Sequence, residues 1–257
     1  MFNWAASRIG TWLARYLDEP TGRYVPFSVT PVRLLRQCMR PGDVLLIDGD
    51  RRFSVAIKYL TQSTWSHVAL YVGDALPRPS DGSEPRVLIE AELLEGVIAV
   101  PVSKYRNFNT RICRPVGLTE EDRRKVVNFM VDRLGMQYDL KNVVDLMRYL
   151  LPTPPVPTRW RRRMLALGSG DPTRAICSTL IAQAFQSVRY PILPKVRTQH
   201  VYDTANQRRM VREILHIRHH SLFAPRDFDL SPYFEVVKPT IDTGFDYREL
   251  DWYEDQA

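Results

Sequence analysis

Two hydrophobic periods divide the chain. Between residues 44 and 114 apolar residues fall in short runs bounded by turn residues, which is a strand pattern. From residue 119 onward they recur every three or four positions, which is a helix pattern. Val44-Leu45-Leu46-Ile47 follows the turn signal Pro41-Gly42-Asp43 and reads as a buried strand. Residues 53–62 have helical spacing. Residues 66–73 read as a second strand ending on Gly73, residues 86–91 as a third, residues 96–100 as its continuation in the sheet and residues 110–114 as a further short strand. The stretch 75–86, rich in Pro, Ser, Gly and Asp, is loop.

The helical half begins at Thr119. Its hydroxyl can cap a helix running through residue 134, with Asp122 three residues on and Gly135 as the stop. Val126, Val127, Phe129, Met130 and Leu134 form the apolar stripe. Asp139 can cap a helix over 140–151, which the Pro run 152–157 ends. A loop through an Arg cluster leads to Asp171-Pro172. The next helix starts near Cys177, with Leu180, Ile181, Ala184, Phe185 and Val188 on its buried face. Beyond residue 191 the pattern weakens to short elements at 208–217 and 233–238. Near the start of the chain, Phe2, Ala5, Ile9, Trp12, Leu13 and Tyr16 share a helical face. A helix docked on the domain is preferred there over one lying in a membrane surface, because packed amphipathic helices are far commoner.

Composition narrows the class. Hydrophobic residues make up 44% and charged residues 25% of 257, an ordinary globular balance. No apolar run reaches membrane-spanning length. The N-terminal stretch has no continuous apolar core, so no secretory signal is predicted. Three cysteines, Cys38, Cys113 and Cys177, are too few and too odd in number for a disulfide framework and suit a reducing, cytoplasmic compartment. The net charge of +7 is uneven: Arg159, Arg161, Arg162 and Arg163 cluster, 195–220 is basic, and 242–257 holds six acids and one Arg. Most of this reads as solvated surface, although an anionic lipid surface is compatible with it.

Three residues suggest chemistry. Cys177 lies at the predicted start of an amphipathic helix, where the dipole and the unpaired N–H groups stabilise a thiolate and offer an oxyanion site. Alone, it reads better as a buried structural cysteine. His67 opens a strand and can point into a cleft as a base, or simply satisfy a backbone group. Glu90 sits among apolar residues, so its charge needs a partner. Pairing with His67 across the sheet would fix the imidazole tautomer. Otherwise it faces solvent, and Glu92 and Glu95 compete for the same role.

The order of these stretches resembles the YiiX-like group of NlpC-type papain-like cysteine hydrolases, in which the papain topology is circularly permuted. The matching stretches begin with Arg40-Pro41-Gly42-Asp43-Val44, Ser66-His67-Val68, Ile89-Glu90-Ala91 with Gly96-Val97, and Arg114-Pro115. Gln137-Tyr138-Asp139 and Cys177-Ser178-Thr179-Leu180 follow, with a weaker match at Ser231-Pro232. The His strand precedes the Cys helix, as in the permuted group. The segment 150–172 is longer than expected between the Tyr and Cys motifs. The resemblance implies an α+β, permuted papain-like fold in which a small antiparallel sheet packs against helices. It implies Cys177 as nucleophile, His67 as base and Glu90 as the residue that orients it. Tyr138 and Ser178 are the substrate-binding or oxyanion candidates.

The chain is therefore divided into an N-terminal amphipathic helix and linker (1–35), a permuted papain-like domain (36–240) with a Pro/Arg-rich insertion (150–172), and an acidic tail (241–257). The implied function is a cysteine hydrolase or acyltransferase acting on an amide, ester or thioester through a covalent acyl-enzyme, with no cofactor and no metal. Its partners would be a small-molecule, lipid or peptide substrate and, peripherally, a membrane surface, since permuted relatives similar to lecithin:retinol acyltransferase act on lipid esters or amides.

Three other readings compete. The first is a non-catalytic lipid- or peptide-binding module of the same fold. The second is a metal site at His216, His219 and His220, with His200, in which His216 and His220 share a helix face; no acidic ligand is arranged near them and Arg212 and Arg218 repel cations. The third is nucleic-acid binding at Arg159, Trp160 and Arg161 to Arg163, which lacks any recognised module.

Overall fold

The computed structural model describes residues 15–22, 24–92, 94–137, 176–203, 208–246 and 248. Its strands are β1 (Val44–Ile47), β2 (His67–Tyr71), β3 (Leu88–Glu92), β4 (Gly96–Val100), β5 (Thr110–Pro115), β6 (Lys195–Asp203), β7 (Arg208–His216) and β8 (Phe234–Val237). Its helices are α1 (Val32–Cys38), α2 (Arg52–Thr61), α3 (Glu120–Val131), α4 (Ile176–Ser187), α5 (Arg226–Asp229) and α6 (Pro239–Asp242). The architecture is α+β, as the resemblance implies. Six strands form an antiparallel sheet in the order β4-β3-β2-β1-β5-β8, and β6 and β7 form a separate two-stranded ribbon.

The continuous apolar run of β1 has a direct cause. β1 is an inner strand, paired with β2 (Ile47 opposite His67) and with β5 (Val44 opposite Cys113), and both its faces are covered. Val44 and Leu46 pack with Val68, Leu70 and Ile89 beneath Met130 of α3 and Phe185 of α4. Leu45 and Ile47 pack with Ala69 and Leu88 beneath Leu35 of α1 and with Val102 and Tyr105. Each large aliphatic or aromatic side chain so buried contributes about 1.5–3 kcal/mol. Phe185 is fully buried and meets Phe234 edge-on at 5.2 Å between ring centroids.

Local signals explain most boundaries. The Thr119 hydroxyl accepts from the Asp122 N–H at 3.1 Å, and Glu120, Glu121 and Asp122 place negative charge in the first turn of α3. α3 ends at Val131, three residues short of the expected last helical residue, 134, and a turn carries the chain to Gly135. Met136 then returns to the sheet, its carbonyl accepting from Val97 N–H at 2.9 Å. Gly96 is required there, because its φ is +76° and a Cβ would lie 2.3 Å from the Met136 oxygen.

The sequence pattern misses β6 entirely and anticipates only β7 of this ribbon. It also places His216 and His220 on one helix face, whereas His216 closes β7 and His220 lies in a short 3-10 turn, so the helical spacing argued for a metal site does not exist. Of the N-terminal stretch 2–17, only residues 15–17 are described; they are helical, and Leu17 is buried in the core. The helix over 140–151 and the segment 150–172 lie outside the described residues. Among the described residues no helix is long and apolar enough to cross a membrane.

Candidate active site

His67 is the first residue of β2, and Glu90 stands opposite Ala69 on β3. Residues two apart on a strand share a face, so His67 and Glu90 are diagonal neighbours, within reach of long side chains. Their contact is made: His67 Nε2 lies 3.0 Å from Glu90 Oε2. A carboxylate only accepts, so Nε2 carries a proton, and Nδ1 is the ring nitrogen that Glu90 leaves free. Glu90 is fully buried, which excludes the solvent-facing alternative.

Two residues that carry no signal in the sequence complete its shell. Tyr105 donates its hydroxyl to Glu90 Oε2, and Lys104 donates its ammonium to Glu90 Oε1 and to Glu92 Oε1. Both sit in the 3-10 turn Val102–Tyr105, anchored on the sheet by the burial of Val102 and Tyr105. Of the competitors for the orienting role, Glu92 binds Lys104 and Glu95 is exposed.

α4 brings in the thiol. Cys177 is its second residue, is 3% exposed, and lines the same cavity as His67. Burial works against a charged imidazole, but the adjacent Cys177 sulfur and the Glu90 carboxylate outweigh it and hold His67 well above the usual histidine range. For Glu90, burial alone would favour the protonated form; the hydrogen bond and charge of His67, with the charge of Lys104, bring its carboxyl down to about 2. Burial, then the Glu90 charge, push the Tyr105 phenol well up, so it remains a donor. The other two thiols are held protonated, Cys113 and Cys38 both chiefly by burial.

A cavity of about 240 Å³ opens on this pair, lined by His67, Cys177, Phe53, Phe108, Asp18 and Arg51 among others. Gly49 also lines it, and its backbone N–H donates to Ser66 Oγ at 2.9 Å. A Cβ on Gly49 would lie 2.4 Å from Ser54 Oγ, so only glycine lets the wall close this tightly. Residues 18–21 form a strap along the lining: Thr21 N–H donates to the Asp50 carbonyl at 3.0 Å, Arg52 N–H to the Glu19 carbonyl at 3.1 Å, and Asp18 pairs with Arg51.

The remaining sequence candidates separate. Ser178 is buried and its hydroxyl donates to the Phe223 carbonyl at 2.6 Å, tying α4 to the turn after β7. Tyr138 lies outside the described residues. Two matched motifs form a structural pair: Arg114 grips the buried Asp43 in a fork, Nε to Oδ1 at 3.0 Å and Nη2 to Oδ2 at 2.8 Å. Among the described residues the one group suited to hold a metal ion is His67, Glu90 and Glu92, whose ligand atoms lie within 4.8 Å of one another. The Lys104 ammonium already bridges both carboxylates, so the residues present do not fit a divalent ion there.

Residues 38–149 match the family described as permuted papain-like amidase enzymes, YaeF/YiiX, C92 family. The match takes in His67 and Glu90 and ends before Cys177. Among solved structures the chain is similar to metalloprotein yiiX from Escherichia coli O157:H7, with 14% identity, a TM-score of 0.44, and coverage of 77% of this chain and 96% of that one. No curated protein matches.

Proposed function

With the match of residues 38–149 to the permuted papain-like amidases as premise, we propose that this chain is a thiol hydrolase that cleaves an amide through an acyl-enzyme on Cys177. The observation that carries the reading is that Cys177 and His67 line one cavity, where the imidazole is held by the buried Glu90 carboxylate and its pKa is raised by the Cys177 sulfur. His67 Nδ1 takes the thiol proton, and the thiolate sulfur attacks the carbonyl carbon. The imidazolium then protonates the departing amine as the C–N bond breaks. Water, deprotonated by His67, attacks the thioester and frees the acid with the thiol. An alcohol or amine in place of water makes the same site an acyltransferase. On this reading the charge that develops on the carbonyl oxygen is stabilised from the start of α4, which carries Cys177.

The Lys104 ammonium bridges the Glu90 and Glu92 carboxylates, and no step is assigned to a metal. The test is a panel of amide, ester and thioester substrates, lipid and peptide, offered to wild type and Cys177→Ala. Turnover by wild type that the Cys177→Ala variant lacks, with an acyl adduct on Cys177 detected by mass spectrometry, supports the reading. Equal turnover by both proteins rejects it.

A further inference from the structure

Glu90 and Glu92 both face the His67 side of the sheet, and a cation must balance them. Glu90 is fully buried, Glu92 is 19% exposed, and both accept from the same ammonium, that of Lys104. The turn that carries Lys104 is itself fixed. Lys104 N–H donates to the Pro101 carbonyl at 3.2 Å, Arg106 N–H to the Ser103 carbonyl at 3.2 Å, and Ser103 N–H to Glu84 Oε1 at 3.2 Å. Val102 and Tyr105 are buried on either side of it. The ammonium thus arrives on a braced turn, in the middle of a His–Glu–Glu set whose spacing suits a divalent ion.

We infer that Lys104 is a positioning residue for the reaction proposed above: a built-in cation that takes the place of a metal, keeping Glu90 aimed at His67 and closing the His67–Glu90–Glu92 set to divalent ions. Without it, two carboxylates would share a small volume with one imidazole. Like charges in such a site are relieved by a proton or by a cation from solution. A proton on Glu90 would weaken its hold on the His67 N–H. A cation would draw the imidazole into coordination and away from the thiol. A lysine suits the position because its compact charge can point between two carboxylates, where a planar guanidinium needs a wider, forked seat.

The test compares the full-length wild type with Lys104→Met and Lys104→Arg, using Co²⁺ alone as the probe and a substrate from the panel above. Wild type is expected to show no Co²⁺ absorption band that depends on His67. Lys104→Met is expected to gain one, and to lose it when His67→Asn is added. With substrate, Lys104→Met is expected to lower kcat about ten- to hundredfold with KM little changed, the size of a lost charge-assisted hydrogen bond, and Lys104→Arg to recover part of it. Should Lys104→Met not fold, the wild-type titration still decides, because His67-dependent Co²⁺ binding by wild type overturns the inference. A folded Lys104→Met with wild-type kcat and no Co²⁺ site also overturns it. The Co²⁺ arm needs no turnover, so it stands apart from the Cys177→Ala test: that variant can retain full activity, sinking the hydrolase reading, while Co²⁺ still reports on Lys104.

Discussion

Replacing Glu90 with glutamine tests how the buried carboxylate supports the base. Glutamine keeps the volume and can still accept from His67 Nε2 and Tyr105, but it carries no charge. A hydrogen bond to a charged group is worth about 1.5–3 kcal/mol and a neutral one about 0.5–1.5 kcal/mol. The difference, about 1–1.5 kcal/mol at about 1.4 kcal/mol per factor of ten, lowers kcat/KM of Glu90→Gln about five- to tenfold. The pH profile changes as well. Cys177 and Glu90 hold His67 above its usual range, so removing the Glu90 charge lowers the His67 pKa and moves the alkaline limb of kcat/KM to lower pH. Stability changes in the acid range. Because the Glu90 carboxyl is depressed from 4.5 to about 2, its contribution is complete above 4.5 and is lost as the pH falls toward 2. That contribution is on the order of 3 kcal/mol at about 1.4 kcal/mol per pH unit. His67 describes the same pair from the other side, its share present below 6.5 and lost as the pH rises through its folded value. Denaturant melts at pH 6 and pH 3 should show wild type losing more stability than Glu90→Gln across that interval. A variant with wild-type kcat/KM, an unmoved alkaline limb and a wild-type acid melt would refute the reasoning.

Phe185→Ala should cost about 3–5 kcal/mol by emptying the space under α4 between Phe228 and Phe234, read as a lower denaturant midpoint. Gly49→Ala should cost about 1–3 kcal/mol and reduce activity too, because the new methyl meets Ser54 and Ser66 in the cavity wall. Thr119→Ala should cost about 1 kcal/mol through loss of the α3 cap, with activity unchanged.

The strands were legible because burial on both faces writes itself as an unbroken apolar run, as in Val44 to Ile47, and because Gly73 and Gly96 mark turns that need positive φ. Thr119 announced α3 through its cap. The ribbon was not legible: β6 carries Lys195, Arg197, Thr198 and Gln199, without the period-two apolar pattern that identifies a strand. At the site, Glu90 betrayed itself as a charge in an apolar strand. Lys104 and Tyr105 did not, because a Lys-Tyr pair after a strand is ordinary until the turn folds back over β3. Tertiary placement, rather than spacing in the chain, makes them partners of Glu90. The approach of Cys177 to His67 is of the same kind, joining residues 110 apart in the chain (177 less 67).

Selective alkylation reads out whether His67 activates the Cys177 thiol. Wild type and His67→Asn would be treated with iodoacetamide at neutral pH and the modified cysteine located by peptide mass spectrometry. Cys177 is expected to react well ahead of Cys38 and Cys113, which burial keeps protonated, and His67→Asn to abolish this preference. Labelling spread evenly over the three thiols, or a Cys177 rate that ignores the loss of His67, would contradict that activation.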